Sequence, residues 1–120
     1  MSKGNCYQQA FWAVFHGVVD FGESIVLVHG YPIGTGGDAR GLKYGHAWVE
    51  GVLAGIPMVY DAATGKTFFR AAYYRAGQIK SEECHRYTKK EAARWASKTE
   101  HYGPWESDPI DISVVEGVTV

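Results

Sequence analysis

An excess of charge of either sign is missing from this sequence: 12 Lys and Arg face 13 Asp and Glu, leaving a net charge of −1. Without a cationic field there is nothing to gather phosphates and release counterions, so sequence-independent binding to nucleic acid is excluded. Apolar runs long enough to cross a bilayer are also missing, which excludes a membrane-spanning helix. The opening segment MSKGNCYQQ has no apolar stretch of the kind a secretory leader carries, so a cytoplasmic protein is expected. Cysteine is scarce, with Cys6 and Cys84 alone, and in a reducing compartment both stay free and available for chemistry. Neither CxxC nor HxxxH spacing occurs among these cysteines and His16, His29, His46, His85 and His101, so no metal site is expected.

What is present suits one folded domain. At 120 residues the chain is expected to form a single domain, 1–120, with one core and no room for a separate cofactor unit; no cofactor is expected. An apolar share of 46% is too high for a disordered chain. Asn5, with Gln8 three residues on, reads as a helix cap ahead of Phe11, Val14, Phe15 and Val18 at helical spacing, predicting a helix from Cys6 to Val19. Beside that bulky stripe runs a small one, Cys6, Ala10, Ala13 and Gly17, which allows close approach to a sheet and puts Cys6 at its leading end. SIVLVH, residues 24–29, predicts a buried strand. The stretch from Gly30 to Gly45 holds six glycines and one proline, and reads either as a mobile rim over an active face or as a plain connection.

GHAWVEGVL and IPMVYD, joined through Ala54 and Gly55, predict a hairpin. The segment 68–76 is helix-compatible, 78–87 reads as a strand, and Thr88 with Glu91 caps a helix that runs to His101 before Gly103 and Pro104 stop it. Residues 110–120 are expected to add an edge strand. The fold class is therefore α+β: an N-terminal helix packed on an antiparallel β-sheet, with flanking helices.

The hairpin has chemical content. With Leu53 opposite Ile56, Trp48 falls opposite Asp61, and His46 becomes the diagonal neighbour of Asp61 on the same face. An imidazole is thereby placed within reach of a carboxylate. Docking the small stripe of the first helix on this sheet brings in Cys6, whose position in a first helical turn favours the thiolate. A nucleophilic cysteine needs a base to exchange its proton and a group that fixes the base's tautomer, and Cys6, His46 and Asp61 meet those needs. Trp48, Tyr44 and Tyr7 are the candidate aromatics for the wall of a substrate site, and each reads equally as core.

These residues, Cys6 opening a helix in GNCYQQA, His46 starting a strand in GHAWVE and Asp61 closing the next in VYDAAT, resemble the transglutaminase-like core of the papain-like superfamily. The resemblance spans the first half of the chain; the YYRAG and HYGPW segments loosely resemble small phage-encoded proteins. It implies acyl transfer through a Cys6 thioester, resolved by water (peptidase or deamidase) or by an amine (transglutaminase), on a protein or peptide substrate. Papain's oxyanion glutamine upstream of its cysteine has no counterpart here, so the second oxyanion donor is unassigned. NlpC/P60 cell-wall amidases share the Cys-then-His order, but their cysteine usually follows an aspartate, whereas Asn5 precedes Cys6.

Each residue also has a bland reading: Cys6 as an apolar filler, His46 as a strand histidine bonded to backbone, Asp61 as a turn former. A binding module that keeps this fold without the chemistry, such as a phage-type antagonist of a host protein, is the rival to an enzyme. Gly34, Gly36 and Ala39 match a dinucleotide fingerprint only formally, because a strand follows instead of a helix, and Gly65-Lys66-Thr67 lacks the earlier glycine of a P-loop. The sequence carries no signal of oligomeric state.

Overall fold

The core is organised by residues that alternate along three central strands, and the two sets of alternating side chains are buried by different helices. The computed structural model describes residues 5–106; the strand expected over 110–120 lies outside the described residues. The elements are α1 (Asn5–His16), β1 (Val26–Gly30), β2 (His46–Leu53), β3 (Ile56–Asp61), β4 (Lys66–Phe69), α2 (Arg70–Gly77), β5 (His85–Tyr87) and α3 (Lys89–Thr99). The strands form one sheet in the order β4-β3-β2-β1-β5, every neighbouring pair antiparallel.

Leu27, Ala47 and Val49 point to one face and pack with Ala10, Phe11, Ala13 and Val14 of α1 and Ala92 of α3. Val28, Trp48 and Val59 point to the other, where Ile79 and the rings of Tyr73 and Tyr74 cover them. The α+β class with an N-terminal helix on an antiparallel sheet is therefore observed. The small stripe works as expected at its centre: Ala10 and Ala13 are buried, and their short side chains let α1 lie close on the sheet.

The hairpin has the expected register, with Leu53 paired to Ile56 and Val49 to Tyr60. Ala54 at φ 53° and Gly55 at φ 82° both adopt the left-handed conformation that a two-residue turn of this hand requires. Three residues before that turn, Gly51 is constrained by packing: a Cβ there would lie 2.4 Å from the Cβ of Phe21, which is itself buried. Gly51→Ala is accordingly expected to destabilise the fold by about 1–3 kcal/mol through overpacking, read as a lower urea midpoint at unchanged slope.

Element ends differ from the sequence reading for identifiable reasons. α1 stops at His16, not Val19, because Gly17 turns left-handed (φ 65°) and the N–H groups of Gly17 and Val18 cap the carbonyls of Val14 and Ala13 at 3.3 and 3.0 Å. Val18 is left exposed, outside the stripe it was assigned to. Phe68 and Phe69 belong to β4, so α2 begins at Arg70. The expected strand over 78–87 shrinks to His85–Tyr87, since Gln78 closes α2 in the left-handed conformation and Ser81–Glu83 makes a single 3₁₀ turn. The capping box of α3 forms as read: Glu91 N–H donates to Thr88 Oγ1 at 3.1 Å, and Thr88 N–H to Glu91 Oε1 at 2.9 Å. α3 ends at Thr99, where Glu100 turns left-handed, two residues before His101. Among the described residues no helix is long and apolar enough to cross a membrane.

Candidate functional site

His46 opens β2 and Asp61 closes β3, so the hairpin register brings both to one end of the sheet on one face. The Nε2–H of His46 donates to Asp61 Oδ2 at 3.1 Å, and both side chains are buried. The same imidazole is hydrogen-bonded to Cys6, in the first turn of α1. With Nε2 committed to the carboxylate, that second bond falls to Nδ1, and the ring bridges a thiol and an acid. Cys6 is half-buried and free of any disulfide.

The path by which Cys6 arrives corrects the docking expected from sequence. α1 lies on the Leu27, Ala47 and Val49 face, opposite to the one that His46, Trp48 and Glu50 share. Cys6 reaches His46 around the leading end of β2, not across the face. Gly45 makes room there: a Cβ at this position would lie 2.5 Å from the hydroxyl of Tyr7. Any larger residue there would have to displace the Tyr7 ring that α1 lays against this strand end.

Asp61 is held from three sides. Tyr73 Oη donates to Oδ2 at 2.8 Å and Ala63 N–H donates to Oδ1 at 3.0 Å, in addition to His46. The backbone carbonyl of Asp61 also accepts from Gly65 N–H at 2.7 Å, so the residue is a turn former as well as a partner of His46. Burial raises the Asp61 carboxyl, but the hydrogen bond and charge of His46, with those of Tyr73 and Ala63, outweigh it and hold the group below the usual range. For His46, burial pulls downward and is overcome by the hydrogen bonds and charges of Asp61 and Cys6, which push the imidazole up to about 9. His46 above its ordinary 6.5 stabilises the fold fully below that pH, a contribution lost as pH rises through about 9. Asp61 contributes above its ordinary 3.8 and loses this as pH falls through its depressed value.

No family model, curated protein or solved structure gives a significant match to this chain.

The three expected substrate aromatics separate. Tyr44 is 42% exposed, its ring 5.9 Å from that of His46, at the open side of the cluster. Burial, then the charges of Asp61 and Cys6, raise its phenol, so it stays a neutral hydroxyl. Trp48 is 0% exposed and offers no surface to a substrate, which corrects its assignment as a pocket wall. It lies 5.9 Å from the His46 ring and donates its Nε1–H to Glu50 Oε2 at 2.9 Å, sealing the inner side of the pair from water. Tyr7 sits edge-on to His29 with centroids 4.9 Å apart and abuts Gly45 and Gly103, packed on the α1 side.

Sequence reasoning missed Tyr73. Its only signal was the paired tyrosines in the ambiguous segment 68–76, and its role depends on α2 starting at Arg70. It also missed a second histidine–carboxylate pair: His29, 1% exposed, donates Nδ1–H to Glu106 Oε2 at 2.9 Å, and Tyr87 Oη donates to Oε1 of the same acid at 2.7 Å. Burial raises Glu106, but the His29 bond prevails and lowers it. Rings of Tyr7, Tyr87 and Trp105 close over His29, so this pair ties residues 101–106 to the sheet. Cys84 is placed against Trp48 and Tyr74, and burial raises its thiol. Among the described residues no group of three His, Cys, Asp or Glu is arranged to hold a metal ion.

The glycine-rich connection is braced. Ile33 N–H donates to Gly77 O at 2.7 Å, Gly34 N–H to Leu42 O at 2.8 Å and Tyr44 N–H to Pro32 O at 3.0 Å. Lys43 pairs with Glu83 at 2.8 Å. The segment folds back on itself and leans on the end of α2.

Proposed function

We propose that this chain is a thiol-dependent acyl-transfer enzyme acting on amide bonds of a protein or peptide, with Cys6 as nucleophile, His46 as general acid and base, and Asp61 as the group that fixes the imidazole. The observation that carries this reading is one buried imidazole hydrogen-bonded at once to a thiol in a first helical turn and to a fully partnered carboxylate. A filler cysteine has no use for such a neighbour. The Cys, His, Asp order on helix, strand and strand supports a transglutaminase-like core within the papain-like superfamily.

In the proposed resting state His46 is an imidazolium and Cys6 a thiolate. The sulfur attacks the amide carbonyl carbon, a C–S bond forms, and the carbonyl π pair moves to oxygen. The backbone N–H of Cys6, among the first N–H groups of α1 and so without an acceptor inside the helix, is one donor for that oxyanion. His46 then gives its proton to the departing nitrogen as the C–N bond breaks, leaving a thioester. Water or an amine attacks the thioester, His46 takes the incoming proton, and the acyl C–S bond breaks to restore the Cys6 thiolate beside the imidazolium. Asp61 stays ionised throughout, with Tyr73 and Ala63 N–H keeping it in place.

The test is to trap the thioester with an activated acyl donor that needs no substrate recognition. Incubation with p-nitrophenyl acetate is expected to release about one equivalent of nitrophenolate in a burst and to leave acetyl on the Cys6 peptide after acid quench and mass spectrometry. Acetylation confined to Cys84, or none at all, would favour a catalytically silent binding module of the same fold.

A further inference from the structure

A cavity of about 200 Å³ lies beside the cluster, and two of its lining residues, Tyr44 and Asp61, are the same ones that contact or flank His46. Its walls are apolar: Pro32, Ile33, Phe68, Ala72, Ala76 and Ile79. It is smaller than the roughly 300–1,000 Å³ of sites that enclose whole drug-sized ligands, so it has room for one side chain and not for a second cofactor or a folded partner segment. We propose that this cavity is the specificity pocket of the enzyme, taking a single neutral apolar side chain, aliphatic or phenyl-sized, from the peptide whose carbonyl meets Cys6. This rests on the acyl-transfer reading above.

Charge decides the class of side chain. Asp61 is the single ionisable acid on the wall, and its oxygens already accept from His46, Tyr73 and Ala63. Its charge is balanced by the protonated imidazole, so a lysine or arginine side chain entering the cavity finds no free counter-charge. A carboxylate would lose its hydration against apolar walls and meet Asp61 on the way. An apolar group loses no hydration on entry and removes apolar surface from water on both sides.

The walls are also pre-formed. The 2.7 Å bond from Ile33 N–H to Gly77 O fixes the connection between β1 and β2 against the last turn of α2, and the 3.0 Å bond from Tyr44 N–H to Pro32 O closes the loop on itself. Ala72 and Ala76, one turn apart on α2, are exposed residues whose small side chains leave the cavity open. A large side chain at either one fills the cavity without touching the buried core.

The experiment uses peptidyl fluoromethyl ketones that alkylate Cys6, with leucine, phenylalanine, aspartate or lysine as the first or second residue from the reacting carbonyl. Each rate is divided by the iodoacetamide rate at Cys6 of the same protein, which removes differences in intrinsic thiol reactivity. Native protein is expected to prefer leucine or phenylalanine over aspartate and lysine by at least about tenfold, and Ala72→Trp and Ala76→Trp are expected to erase most of that preference. Equal normalised rates across the panel, a preference for lysine or aspartate, or an apolar preference that survives both tryptophan variants would overturn the pocket assignment while leaving the acyl-transfer reading intact. If iodoacetamide modifies Cys6 equally fast in native protein and in His46→Ala, the underlying reading itself fails.

Discussion

Cys6→Ser is expected to abolish the nitrophenolate burst, lowering the single-turnover acylation rate by a factor of about 10³ or more. A serine hydroxyl at this position is a far weaker nucleophile than a thiolate, and a His46 held up to about 9 is an acid at neutral pH and a poor base for an alcohol. The substitution is nearly isosteric at a half-buried position, so the hydrogen bond to the imidazole survives and the fold is not at risk. Cys84→Ser provides the contrast. That thiol is packed against Trp48 and Tyr74, with Lys80 O 3.6 Å away as an acceptor, and burial raises it, so its loss leaves the burst in place. Stopped-flow absorbance with acid-quench mass spectrometry reads both variants.

His46→Ala is expected to slow acylation by about 10²- to 10⁴-fold, the usual range for removing a general acid and base. The loss has two parts: the sulfur loses its ion-pair partner, and the leaving group loses its proton donor. With p-nitrophenyl acetate the leaving group needs no proton, so the defect reports the first part alone and falls at the lower end of the range. With a peptide amide the leaving nitrogen must be protonated, and the defect reaches the upper end. A difference between the two substrates is the signature of a residue acting as acid, since a merely structural role would slow both equally. The variant is expected to fold. Removing one member of a buried pair costs about 3–5 kcal/mol when the other is left bare, but Asp61 keeps Tyr73 Oη and Ala63 N–H as donors.

Much of the site could be read before any coordinates, because the hairpin obeys arithmetic. Two strands joined by Ala54 and Gly55 admit few registers, and the one observed places His46 and Asp61 on one face as read from the strand period. The capping box of α3 was equally legible, as its partners lie within four residues of each other. What sequence did not disclose depends on contacts between distant elements. Periodicity shows that Ala10 and Ala13 lie on one side of α1, but it does not show which face of the sheet they meet. The helix took the Ala47 and Val49 face, and Cys6 reached His46 around the strand end. Trp48 illustrates the same limit: its position next to His46 was right, yet exposure depends on α2, whose Tyr73 and Tyr74 bury it. Tyr73 as a partner of Asp61 and Glu106 as a partner of His29 are contacts between elements that no local pattern encodes.

The measurement that bears most directly on the account is the titration of His46 by NMR, following its ring protons in native protein, Asp61→Asn and Cys6→Ala. An imidazole gripped by both a carboxylate and a thiol should titrate at about 9 in the native chain and move down toward the ordinary 6.5 in each variant, since each removes one of the partners that raise it. A midpoint near 6.5 in the native chain, unmoved by either substitution, would mean that the three groups are not joined and that the proposed chemistry has no site.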